Sequence, residues 1–296
     1  MKKVALLLFF FVLIIVVIGL WATKGLPYKK REKVKNESGF IHQQKFYNEG
    51  LFQLGVEQVK TNGSNIENKI YGGVIPHDTF PSFMIADFFS SIVKQNPKTI
   101  VIFGPNHLEK GGFKVLTSIY PWETTFGFVE PDKELINNLL KLKNIGINRD
   151  VLTNEHSVAA IMSFIKYYLP ETKVVPLVIS GIITESDIDY LIQNISVYDL
   201  SDCIFIASVD FSHYLNKQQA DVNDAKTVDI IYDFNYQKLL SLSNDYLDSP
   251  GSIVTVLKIM KEIDKTNIEI LHHKNLQDLT TEDVNQTSSY YTLVFY

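Results

Sequence analysis

Three histidines each lie just past an apolar, strand-like run. Residues 70–75 lead into Pro76-His77, residues 99–103 into Gly104-Pro105-Asn106-His107, and residues 203–209 into the stretch Asp210-Phe211-Ser212-His213. Imidazole is the commonest protein metal ligand and the side chain that titrates nearest neutral pH. Three of them at strand ends, one beside a carboxylate, point to a metal site or an acid–base site. They can meet only if the strands that carry them run parallel, because the carboxyl ends of an open parallel sheet share one edge, and ligands bind there.

Further residues could join them. Asn154-Glu155-His156-Ser157 reads as a helix start with Asn154 as N-cap. Glu155 suits the positive end of the helix dipole, which also disfavours a charged His156. His156 would then act as a neutral donor or orient a ligand; plain capping is the alternative. Asp210 and His213 are three apart, close enough to pair on a helical turn, and such a carboxylate fixes the imidazole tautomer and raises its basicity. Ser212 is a weak nucleophile candidate, since nothing resembles a nucleophile elbow. Lys110-Gly111-Gly112 would give a pocket a mobile border. Asp248-Ser249-Pro250-Gly251-Ser252 by itself reads as a cap and turn. His272 and His273 read as structural residues on opposite faces of a strand, and His42 has no assigned role.

From residue 70 onward, apolar runs alternate with helical patterns. Strands are expected over 70–75, 99–103, 114–119, 174–179, 203–209, 268–272 and 289–295. Helices are expected over 80–93, 133–142, one continuous stretch from 154 to 168, and 185–195, 220–232, 236–242 and 252–263. Continuous apolar strands between amphipathic helices imply an α/β fold with a mainly parallel sheet covered on both faces. The final run, 290–296, is a candidate antiparallel member.

Of the 296 residues 46% are hydrophobic, ample for a large core, and the net charge of −5 gives no reason to expect nucleic acid. The single cysteine, Cys203, excludes an intrachain disulfide framework and a Cys-rich zinc site. Lys2 and Lys3 precede an uncharged run over 4–22. As a helix this run spans roughly 28 Å, near the thickness of a bilayer's hydrocarbon core, and Trp21 falls at its interfacial end. The alternative is a cleaved signal peptide, but a cut after Ala22 would put Leu20 where a small side chain is needed. Residues 1–23 are therefore expected to be a transmembrane anchor, 24–65 a linker and weakly patterned lead-in, and 66–296 the α/β domain. The short head favours an extracytoplasmic domain on a single-pass membrane protein, whereas the lysines after the run favour the cytoplasmic side.

In this order, Pro76-His77, Gly104-Pro105-Asn106-His107, Glu155-His156-Ser157, Pro176-Leu177-Val178 with Gly181, and Ser208-Val209-Asp210-Phe211-Ser212-His213 resemble the motifs of the Memo family, also called AmmeMemoRadiSam system protein B. Trp122-Glu123-Thr124 resembles another family segment, and the likeness covers about residues 68–296. The resemblance implies a three-layer α/β/α fold like the catalytic subunit of class III extradiol dioxygenases, which use nonheme Fe(II). It also implies metal ligands at His77 and His107, a further site pair at Asp210 and His213, and His156 at a neighbouring position. The family's third ligand, a cysteine, has no counterpart: its segment aligns with Asp248-Ser249…Ser252-Ile253. Asp248 in its place leaves two histidines and one carboxylate. That set suits Fe(II) with open positions and disfavours soft Cu(I). Copper is the other metal of the family, and a metal-free site follows if loss of the cysteine abolished binding.

The expectation is a membrane-anchored, metal-dependent oxidoreductase acting on a small, aromatic or phenolic substrate. His77, His107 and Asp248 would hold Fe(II), His213 oriented by Asp210 would move protons, and His156 would stabilise a developing oxyanion. The alternatives are a non-catalytic binding or scaffold module, for which the resemblance implies a radical SAM protein as partner, and metal-assisted hydrolysis.

Overall fold

The computed structural model describes residues 39–195 and 200–296. Three strands rich in β-branched residues make the middle of the sheet: β2 (Thr99–Pro105), β7 (Lys173–Ile179) and β8 (Cys203–Ser208), with β1 (Gly72–Ile75) beside β8. They are buried nearly end to end, the pattern of strands covered on both faces. All four run parallel, in the order β1-β8-β2-β7. Their registers align the carboxyl ends: Ile75 faces Ser208, Phe103 faces Ala207, and Pro105 faces Ile179. The segments carrying His77, His107 and Asp210 therefore leave the sheet along one edge.

Antiparallel pairings extend the sheet. The terminal strand β11 (Thr287–Phe295) pairs with β1, and β10 (Ile268–Asn275) and β9 (His213–Leu215) pair with β11. On the other side β3 (Val115–Thr117) pairs antiparallel with β7 and parallel with β6 (Ile145–Ile147). A separate hairpin, β4 (Trp122–Thr124) and β5 (Gly127–Val129), was not expected from the sequence. The result is a mixed α/β fold with a large, mostly parallel centre.

Strand alternation sorts the buried side chains into two cores. Val101, Phe103, Val175, Leu177 and Phe205 belong to one, with α7 (Glu185–Ile195) and α10 (Pro250–Glu262). Ile100, Ile102, Val174, Ile204 and Ile206 belong to the other, with α2 (Ser82–Ile92) and α6 (Met162–Tyr168).

Several expectations need correction. The lead-in contains a helix, α1 (Glu49–Asn62), capped by the Asn48 side chain and buried through Phe52, Val56 and Val59. Those apolar residues keep helical spacing but are diluted by polar ones. The helix expected over 154–168 is two pieces, α5 (His156–Ala159) and α6, preceded by a separate helix, α4 (Arg149–Asn154). Asn154 ends α4, and Glu155 caps α5 by accepting from the Ser157 N–H. Gly104-Pro105 is not a turn but the extended end of β2. His42 is fully buried, stacked on Trp122 with ring centroids 3.9 Å apart, and bonded to Ser118 and Thr153. Burial and nearby Arg149 push its pKa down to about 3. The single-pass membrane localisation is also corrected: among the described residues, no helix is long and apolar enough to cross a membrane. The run on which it rested, 4–22, lies outside those residues.

Candidate metal centre

Gly104 sets the geometry at the end of β2. A Cβ there would lie 2.6 Å from Ser157 Oγ, so only glycine lets α5 press against the strand. Ser157 Oγ donates to the Pro105 carbonyl, and Ser208 Oγ donates to the Ser157 carbonyl. The start of α5 is thereby pinned over the sheet edge between β2 and β8, which brings Glu155 and His156 to His107.

Glu155 is buried and does more than cap a helix. One carboxylate oxygen accepts from the His107 backbone N–H at 3.0 Å, and the other accepts from His107 Nδ1–H at 2.8 Å. That leaves Nε2 as the ring atom facing the centre. A carboxylate behind an imidazole that turns its other nitrogen outward is the usual support of a metal-binding histidine. The sequence identified Glu155 only as a dipole partner.

Asp210 holds the opposite wall. Its carboxylate accepts from the backbone N–H groups of His77 and Asp78 and lies 3.5 Å from His77 Nε2. Its backbone carbonyl accepts from the Asp248 N–H, locking the loop before α10 to the end of β8. Asp248 Oδ2 consequently stands 3.1 Å from His77 Nε2 and 3.6 Å from His107 Nε2. The His77 and His107 rings are 5.3 Å apart and nearly perpendicular. His156 stacks on His107 at 4.3 Å and meets His77 edge-on at 4.9 Å. The ligand atoms of His77, His107 and His156 all lie within 4.8 Å of one another, as do those of His77, Asp210 and Asp248.

The structure thus brings together five expected site residues: His77, His107, His156, Asp210 and Asp248. It does not bring in His213. That residue starts β9 opposite Ser288, and its buried Nδ1 has no hydrogen-bond partner. The expected Asp210–His213 pair is replaced by Asp210–His77, because β8 lies beside β1 and the loop after it runs along β11 rather than coiling into a helical turn. Phe46, 5.7 Å from His156, is a neighbour the sequence reading missed.

Electrostatics follow from this packing. Burial opposes a charge on His77, but the Asp210 and Asp248 carboxylates outweigh it and raise the pKa to about 9. His107 is likewise penalised by burial and lifted to about 10 by the nearby Asp248 carboxylate and its bond to Glu155. Burial and then the His77 and His107 charges push His156 down to about 4. Burial raises Asp210 to about 6 against the pull of His77. Asp248 is held well below the ordinary carboxylate range, since His77 and His107 more than offset its burial.

The donor set fits a cation. Asp248 Oδ1 is buried without a hydrogen-bond partner, and a sealed anionic oxygen is costly unless something positive completes it. Two imidazoles and a carboxylate, with the carboxylate within reach of both rings, form a group able to hold a first-row metal.

A sequence model of a family described as Memo-like protein matches residues 52–294. Similar proteins described as MEMO1 family protein include one from Methanococcoides burtonii, 29% identical over 80% of this chain and 92% of its own length. Another is from Sulfurisphaera tokodaii, 28% identical over 67% of this chain and 72% of that protein. A third, from Caldivirga maquilingensis, is 26% identical over 68% and 73%. Among solved structures, an uncharacterized protein from Escherichia coli K12 shares the fold with a TM-score of 0.51 at 11% identity, covering 76% of this chain and all of that one.

Proposed function

The chain belongs to the Memo-like protein family, and on that premise we propose that it is a metal-dependent oxidoreductase of the nonheme-iron type, its ion held by His77, His107 and Asp248. One observation carries the reading: Asp248 Oδ2 reaches both imidazole Nε2 atoms, at 3.1 and 3.6 Å, while its other oxygen is buried and unpartnered. Two imidazoles and one carboxylate leave positions open on Fe(II), and the lack of sulfur disfavours Cu(I). Bound Fe(II) would supply those open positions and one-electron chemistry for an aromatic small molecule.

The remaining work falls to the protein. Glu155 accepts from His107 Nδ1–H, so Nε2 is the nitrogen turned toward the ion once its own proton has left. Asp210 fixes the backbone that carries His77. His156, uncharged at neutral pH and stacked beside His107, is placed to accept a proton from a bound substrate. That role was expected of His213, which lies elsewhere. The test is metal analysis after anaerobic reconstitution with Fe(II). Stoichiometric iron is expected, lost in both His107→Ala and Asp248→Ala; unchanged iron in His107→Ala rejects the assignment.

A further inference from the structure

A cavity of about 340 Å³ opens on the His107 and Asp248 side of the centre, within the size range of small-molecule sites. Its walls are chemically divided. Ile179, Ile183, Leu240 and Leu242 supply apolar surface. Among the described residues, the carboxylates that line it are Glu109 and Asp248, and no lysine or arginine does so. Asp248 is engaged with the two histidines, which leaves Glu109 as the carboxylate open to a ligand.

Glu109 is held in place despite being exposed. Its carboxylate accepts from Ser180 Oγ and from the Gly181 N–H, both at 2.5 Å. Its own N–H donates to the Asn106 carbonyl, and its backbone is left-handed, with φ 47°. A non-glycine residue in that region is strained and persists where the surroundings enforce it, often at ligand sites. The two bonds leave further lone pairs on the carboxylate. A fixed anion thus stands across an apolar wall from the histidine centre.

We propose that this cavity is the substrate subsite and takes a small molecule with an apolar body and a cationic amine, the amine on Glu109 and the body on the Ile179, Ile183, Leu240 and Leu242 wall. The word substrate rests on the metal reading above; the selectivity for an amine does not. An anionic ligand would meet the Glu109 carboxylate, and the imidazole on the cavity wall, His107, is already bonded to Glu155 and faces Asp248. A charged hydrogen bond to Glu109 favours an ammonium over a neutral isostere by roughly 10-fold or more.

The test uses the whole protein, metal-free and Fe(II)-loaded, titrated with benzylamine, benzyl alcohol and benzoate by calorimetry. Benzylamine is expected to bind about 10-fold tighter than either analogue. Glu109→Gln, whose amide oxygen can still accept from the Gly181 N–H while its amide nitrogen donates to Ser180 Oγ, should bring benzylamine down to the level of benzyl alcohol. Leu242→Ser should weaken both alike. A preference unchanged by Glu109→Gln, or benzoate binding as tightly as benzylamine in the metal-free protein, overturns the proposal. Protein that holds no iron but still selects benzylamine through Glu109 sinks the metal reading and supports the amine subsite. Iron-loaded protein without the preference does the reverse.

Discussion

Titrating the metal-free protein with Fe(II) under anaerobic conditions should release about two protons per ion at pH 7. The two imidazoles set the number. His77 titrates near 9 and His107 near 10, so both are protonated at neutral pH and the lone pairs that would bind the ion are occupied. Asp248, depressed by those same histidines, is already ionised and contributes none. Below pH 9, each unit rise in pH should therefore strengthen apparent binding about 100-fold. The gain falls to about 10-fold between 9 and 10 and vanishes above. Calorimetry in buffers of different ionisation enthalpy reads the proton count directly. Release of less than about one proton per ion would mean that at most one charged imidazole is displaced, which refutes coordination by the pair. The same groups govern the metal-free fold. A histidine whose pKa rises on folding stabilises fully below its unfolded value near 6.5, and that contribution disappears as pH climbs through the folded value. The Tm of the metal-free protein should fall as pH rises from about 6.5 to 10, while the loaded protein, whose imidazoles are neutral, escapes that fall.

Glu155→Ala should weaken Fe(II) binding by about 10- to 100-fold, because the bond that orients His107 is lost; competition against a chelator measures it. Asp248→Cys should shift the preference toward Cu(I), since thiolate is the softer ligand, and a centre that selects the same metal as before would show that residue 248 is not a ligand. Phe52→Ala should cost about 3–5 kcal/mol in chemical denaturation, because Phe52 is buried against Phe126 and Phe164; a loss below about 1 kcal/mol would mean that α1 is not integral to the fold.

Much of the scaffold is legible in the chain because burial imposes period and composition on it. β2, β7 and β8 read as strands from uninterrupted apolar runs, and α7 from its amphipathic spacing. Weakly patterned pieces escaped. The β4–β5 hairpin has three-residue strands, too short for a period to register. In α1 the buried positions are separated by polar ones. The break at Glu155 leaves no local mark, because it serves a contact with His107 that lies 48 positions away.

For the centre, residue chemistry alone singled out His77 and His107 at strand ends, and the likeness to a known family added Asp248. Which groups face one another was decided by strand order. With β8 between β1 and β2, the Asp210 carboxylate meets the backbone of His77 rather than its near neighbour His213. With Gly104 letting α5 against β2, His156 becomes the third imidazole. Local sequence sets which side chains emerge from an edge; only the packing of elements distant along the chain sets their partners, and with them which rings carry a proton.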